Sequence, residues 1–185
     1  MAGPIGSGTF NKNPGSVQNA TTDRVDVNTL SLSPQGEAFI KEKEDKRLFA
    51  YNDNRHFCTE GYGHLIHGEH SCESEHIPNH RPISQATADQ EFDTDKLRTQ
   101  ESCVRRHVEV PLYQREYDAL CSLAFNIGDL HAKAPHLLQK LNNGQYSAAA
   151  SEFLDITNHG THGLVVRRKE EYEMFMHGNY DATNS

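Results

Sequence analysis

Between Pro111 and Gly128 the chain carries Tyr117, Leu120, Leu123, Ala124 and Phe125 at helical spacing, which predicts a strongly apolar helix over about 114–126. A helix that apolar has to be covered by other elements. Shorter helices fit 135–142, 146–155 and 164–177, separated by NNG and NHGTHG. A longer one fits 84 to about 107, with Ser84 as N-cap and Phe92, Leu97 and Val104 as buried positions. Ser33-Pro34 opens a further helix to about Asp45, with Ala38, Phe39 and Ile40 in it, because proline at the first helical position has no N–H to leave unpaired.

The pattern changes between Arg47 and His64. Leu48, Phe49 and Tyr51 precede a polar Asn52-Asp53-Asn54 turn, and His56, Phe57, Thr59 and Tyr62 follow it, which predicts a short hairpin or small sheet. Residues 65–83 contain two prolines and few large apolar side chains, and read as a solvated, mobile loop. Residues 1–32 are rich in Gly, Asn, Ser and Thr and read as a flexible tail or linker. The expected organisation is a 1–32 tail, an ordered domain over 33–179 and a short 180–185 tail. The class is α+β, one helix and a small β element followed by a helical lobe.

Acidic side chains outnumber basic ones by 26 to 18, and a net charge of −8 argues against nucleic acid, which calls for a clustered basic face. No apolar stretch approaches the roughly 20 residues of a membrane span. The N-terminus, MAGPIGSGTFNKNPG, lacks the basic and apolar regions of a secretory signal. His64, His67, His70, His76 and His80 cluster around Cys72, but with no usual zinc spacing, so no metal and no cofactor is expected. Cys103 and Cys121 sit at apolar-facing helical positions as buried thiols. Cys58 and Cys72 are placed where a bridge is sterically allowed, and the sequence establishes no pairing.

Chemistry concentrates in residues 40–67. Glu44 ends the first helix, Asp53 lies nine positions on in the turn, and Thr59 six positions further in the next strand. Two carboxyl groups in different environments are what glycosidic cleavage needs, one protonated to donate to the leaving oxygen and one ionised to act on water or sugar. Spacing alone is equally that of a solvated helix end and a turn-forming aspartate.

The surrounding residues are more specific. Glu44, Leu48, Ala50-Tyr51, Asp53 and Thr59 leading into GYGH at 61–64 resemble the active-site stretch of the phage-type lysozymes, glycoside hydrolase family 24, the endolysins of the bacteriophage T4 type. VEVPLYQREYDALCSLAFNIG (108–128), LLQKLNNGQYSAAASEF (137–153) and GLVVRRKEEYEMF (163–175) resemble three later family elements, in the family's order. The resemblance implies a lysozyme-like fold, with a small α/β lobe carrying a β-hairpin, a larger helical lobe and a cleft between them, a catalytic domain over 33–179, and a muramidase cutting the β-1,4 bond between N-acetylmuramic acid and N-acetylglucosamine, with inversion. It implies that Glu44 is the general acid, that Asp53 activates water, that Thr59 holds that water, and that Arg167 is the electrostatic partner of the acid. Leu65, Phe125 and Asn126 match groove positions. Two departures stand out: Glu60 occupies a position where the family has isoleucine, and residues 65–83 are unusual in their His, Cys and acidic content.

The expected partner is therefore the peptidoglycan glycan strand, met by a monomer in the periplasm or cell wall. Delivery would be by a holin or by a secretion system, the latter with a carrier and an immunity protein. The alternatives are a catalytically silent wall-binding module on the same fold, and a cleaver of chitin-like chains.

Overall fold

The computed structural model describes residues 23–66, 70–75, 77–78 and 80–181. The first helix, α1 (Pro34–Lys43), begins where Ser33 Oγ accepts the Gly36 N–H at 3.0 Å. Three antiparallel strands follow in the order β1 (Arg47–Asn52), β2 (Cys58–Gly61), β3 (His64–Leu65). The helical part comprises α2 (Gln85–Glu91), α3 (Arg98–His107), α4 (Gln114–Ile127), α5 (Leu130–Lys133), α6 (Pro135–Asn142), α7 (Tyr146–Phe153) and α8 (His162–His177).

α4 is the axis of the helical lobe. Nine consecutive residues, Glu116 to Ala124, are buried, so every face of the helix is covered. α8, α3 and α1 pack around it. The fit with α1 is close: a Cβ added at Gly36 would lie 2.7 Å from Asp118 Cγ, so only glycine lets the two helices approach this far. Asp118 itself accepts from Ser33 N, Ser33 Oγ, Gln114 and Tyr180, which ties the start of α1 and the C-terminal segment to the central helix.

Three features depart from the sequence reading. The expected helix over 84–107 is divided, with a π-helical stretch at Phe92–Leu97 between α2 and α3. A wider turn of this kind redirects a helix without breaking it. Phe92 and Val104 are buried as expected. A short helix, α5, fills what reads as a connection, capped by Asp129 Oδ1 on the Ala132 N–H at 3.1 Å.

Order also begins before Ser33. Residues 1–22 and 182–185 lie outside the described residues, but 23–32 pack onto the helical lobe rather than forming a free tail. Val25 exchanges two backbone hydrogen bonds with Leu112, and Val27 and Leu30 enter the core. Arg24 grips the buried Glu116 with bonds of 2.9 and 2.7 Å, and its guanidinium lies 3.5 Å from the Tyr146 ring centre. Two apolar residues one helical turn apart in a polar stretch are a weak signal. The partner that fixes them, Glu116, is remote in sequence.

The third departure is the 65–83 segment. His67, Gly68, Glu69, His76 and Asn79 lie outside the described residues, but the remainder is attached to the sheet rather than solvated. Ala50 donates its N–H to Arg81 O and accepts from His80 N, both at 2.9 Å, and Ile83 N bonds Leu48 O at 3.0 Å. The segment thus covers the outer edge of β1, which would otherwise present unpaired backbone groups. Cys58 and Cys72 form a disulfide, fully buried beside Ala50, with Ile66 and Ile77 packed against it. Cys103 and Cys121 are buried free thiols, as expected.

The bridge closes a sequence separation of 14 residues, worth about 3 kcal/mol in the chain-entropy account. Reduction should therefore lower the melting temperature by roughly 6–12 °C. Thermal denaturation with and without reductant, alongside thiol counts in denaturant, checks this; an unchanged melting point on complete reduction would show that hydrogen bonding alone holds the segment.

Candidate active site

Strand register sets one face of the sheet. Tyr51 on β1 pairs with Thr59 on β2, and Thr59 pairs with Leu65 on β3. Because side chains alternate along a strand, these three share a face, and Asp53, two residues beyond Tyr51, continues the same alternation past the strand end. Asn52, Cys58 and Glu60 belong to the opposite face. Glu60 is buried there against Arg81 at 2.5 Å, so the additional carboxylate at this unusual position points away from Thr59 and anchors the 65–83 segment.

Asp53 builds its own turn. Oδ1 accepts the N–H groups of Arg55 (2.8 Å) and Phe57 (2.9 Å), and its backbone N–H reaches Phe57 O at 2.9 Å. These bonds fix the carboxylate and leave Oδ2, among the described residues, with the distant Arg55 guanidinium at 4.0 Å. The turn-forming and chemical readings of Asp53 are therefore compatible. Thr59 is buried and donates its hydroxyl proton to Phe57 O at 3.0 Å, which leaves its oxygen lone pairs as acceptors.

Glu44 is the C-cap of α1. Its side chain is 23% exposed, and Oε1 accepts from Arg167 Nη1 at 2.9 Å. Arg167 comes from α8, across the molecule. Its Nε also donates to Glu171 Oε1 at 3.1 Å, and Glu171 further receives Ser122 Oγ at 2.7 Å and Arg168 Nη1. Arg167 thus shares the fully buried Glu171 carboxylate with Arg168, and this bonding fixes its guanidinium as an oriented donor to Glu44.

Tyr51 lies opposite Thr59 on the same face. Burial pushes its phenol up from the ordinary value, and the negative charges of Asp45, Asp53 and Glu44 act in the same direction, opposed by Arg47. Both Glu44 and Asp53 therefore project their fields onto this ring. The sequence marks Tyr51 as part of the motif without giving it a role; its place opposite Thr59 is legible only from the register.

The groove candidates are placed unevenly. Leu65 is exposed on the Thr59 face. Phe125 is half-buried, its ring 5.4 Å from that of Phe92. Asn126 is exposed at the end of α4, its Oδ1 accepting from Arg168. The Phage lysozyme family model matches residues 41–171, a span that holds Glu44, Asp53, Thr59 and Arg167. The chain belongs to the phage lysozyme family.

This chain is 34% identical to an endolysin of Salmonella phage P22 over 80% of its own length and 99% of that protein. An endolysin of Bacillus phage B103 matches at 32% identity over 80% of this chain and 55% of the longer relative. Among solved structures, an endolysin from Escherichia coli O157:H7 phage FAHEc1 superposes with a TM-score of 0.69 at 25% identity, covering 82% of this chain and 96% of that one. The muramidase domain of SpmX from Asticaccaulis excentricus superposes with a TM-score of 0.64 at 26% identity, over 79% and 97%. The lysozyme-like α+β fold expected from the sequence is the one observed. Hydrolysis of the bacterial cell wall is the activity that goes with this membership. Among the described residues, no helix is long and apolar enough to cross a membrane.

Proposed function

We propose that this phage lysozyme is an inverting muramidase that cuts the β-1,4 bond between N-acetylmuramic acid and N-acetylglucosamine. The observation that carries the reading is Glu44, presented at a helix end and oriented by Arg167, with its field and that of Asp53 both reaching Tyr51 on the Thr59 face.

Glu44 protonates the glycosidic oxygen as the bond to the anomeric carbon breaks. A water between Asp53 and Thr59 attacks the opposite face of the sugar. Thr59, having given its proton to Phe57 O, accepts one hydrogen of that water, while Asp53 Oδ2 takes the other as a proton. The water lone pair is then left for the carbon. Leu65, Phe125 and Asn126 line the groove that receives the strand. The protein acts at the wall, reached by holin-dependent release or by a secretion system.

The test is product stereochemistry together with Asp53→Asn. Digestion of a defined muropeptide oligomer should give the anomer opposite to that of the linkage, and Asp53→Asn should lose about 10²-fold or more in rate at unchanged melting temperature. Retention of configuration would place a carboxylate, not water, at the anomeric carbon and overturn the assignment. Cleavage of chitooligosaccharides at the rate seen on sacculi would overturn the substrate.

A further inference from the structure

Outside the Glu44–Asp53–Thr59 site, three ligating side chains of different chemistry converge. Cys103 and His107 are four residues apart on α3 and so share a helix face. Asp129, the N-cap of α5, meets them. A ligand atom from each, the Cys103 sulfur, an imidazole nitrogen of His107 and a carboxylate oxygen of Asp129, lies within 4.8 Å of the other two.

The local bonding leaves this cluster incomplete. Among the described residues, His107 Nε2 is buried without a hydrogen-bond partner, and Asp129 Oδ1, 3.9 Å away, is too far for a hydrogen bond. An unmet buried ring nitrogen costs stability unless something else engages it. Cys103 is buried, and its sulfur accepts the Leu130 N–H at 3.5 Å, so a backbone donor already orients it. Asp129 Oδ1 accepts the Ala132 N–H at 3.1 Å, which fixes the carboxylate beside the His107 ring. The His131 ring stacks on His107, their centres 5.5 Å apart.

We propose that Cys103, His107 and Asp129 form a second site, one that takes a zinc-like divalent transition ion, with water or His131 in the fourth position. Thiolate, imidazole and carboxylate together suit that class of ion and not magnesium or calcium, which take oxygen ligands alone. A tetrahedral zinc with bonds of about 2.0–2.3 Å holds its ligands roughly 3.4–3.8 Å apart. Closing from 4.8 Å needs side-chain adjustments of about 1 Å, within the reach of rotamer changes. A cavity of about 410 Å³, lined by Cys103, Asp129, Thr99 and Ser102, gives the ion a way in. Arg106 also lines it but is exposed, so water screens its charge. The ion would join the end of α3 to the turn after Asn126, making it a structural brace independent of the proposed hydrolysis.

Cobalt(II), titrated into the metal-free protein with the Cys58–Cys72 disulfide intact, reads the site directly, since a cobalt–thiolate bond gives a near-ultraviolet charge-transfer band. With that bridge closed, Cys103 and Cys121 are the thiols left, and Cys121 is fully buried. The expected result is a band saturating at one equivalent and displaced by zinc, together with a zinc-dependent rise in melting temperature. Cys103→Ser should abolish the band and Cys121→Ser should keep it. His107→Ala and Asp129→Asn should each weaken binding at least roughly tenfold; the asparagine still caps α5, so its effect separates ligation from capping. These two variants decide the matter if Cys103→Ser does not fold. Absence of the band, its survival in Cys103→Ser, or cobalt uptake with no thiolate signal (binding at histidines alone) would overturn the proposal.

Discussion

Glu44→Gln should reduce the lysis of purified sacculi by about 10²–10⁴-fold while leaving the melting temperature where it is. The amide has the shape of the acid and still offers an oxygen to Arg167 Nη1, which now donates to Glu44 Oε1 at 2.9 Å. Arg167 keeps its charge partner, because Glu171 is bonded to the same guanidinium at 3.1 Å. The fold therefore has little reason to respond. What the amide cannot do is give a proton to a leaving sugar oxygen. Lysis rates across a pH series, compared with calorimetric melting of the same samples, separate the two effects. A variant retaining more than a tenth of the parental rate would show that Glu44 is not the acid. A variant that is slow only because it melts early would show that the residue is structural.

Local patterning made much of this architecture legible. Ser33-Pro34 and Ser84 each cap a helix with a side-chain oxygen on an N–H three residues on, as their position in the sequence predicts. The apolar run over 114–126 corresponds to the central helix, and the polar turn between aromatic residues corresponds to the β1–β2 hairpin. What was not legible depends on partners remote in sequence. Arg24 orders residues 23–32 through Glu116, 92 positions away. Cys72 and Arg81 draw the 65–83 segment onto the sheet through Cys58 and Glu60, and the polar composition that suggests a solvated loop is satisfied there by backbone bonds to β1. At the site, the chain order of Glu44, Asp53 and Thr59 is visible in the motif. That Tyr51 lies opposite Thr59, and that Glu60 faces away, follows only once the register is known. Cys103, His107 and Asp129 escaped notice because the sequence draws attention to the denser histidine run at 64–80. The three residues meet only through the turn between α4 and α5.

The largest stability loss from a single substitution is expected at Glu171, whose side chain is fully buried. It receives Ser122 Oγ at 2.7 Å, Arg167 Nε at 3.1 Å and Arg168 Nη1, so one carboxylate balances two guanidinium groups, of which Arg168 is itself fully buried. Burial already pulls Arg168 below the ordinary arginine range, and Glu171 is the charge that opposes this shift. Glu171→Gln preserves volume and one acceptor but removes that charge. Breaking a buried pair by neutralising one partner costs about 3–5 kcal/mol, because the remaining charge is left in a medium that solvates it poorly. For a chain of this size the melting temperature should fall by roughly 6–20 °C. Glu109→Gln, which removes the same negative charge from an exposed position, should stay within about 0.5 kcal/mol and controls for the change in net charge. A second readout ties the network to the chemistry. Below the melting range of both proteins, Glu171→Gln should also lyse sacculi more slowly per folded molecule, since Arg167 loses the charged partner that fixes it in place to reach Glu44. A stability loss below about 1 kcal/mol would mean that the arginines are balanced by other groups. An unchanged rate would mean that Glu171 braces the helices without positioning Arg167 for Glu44.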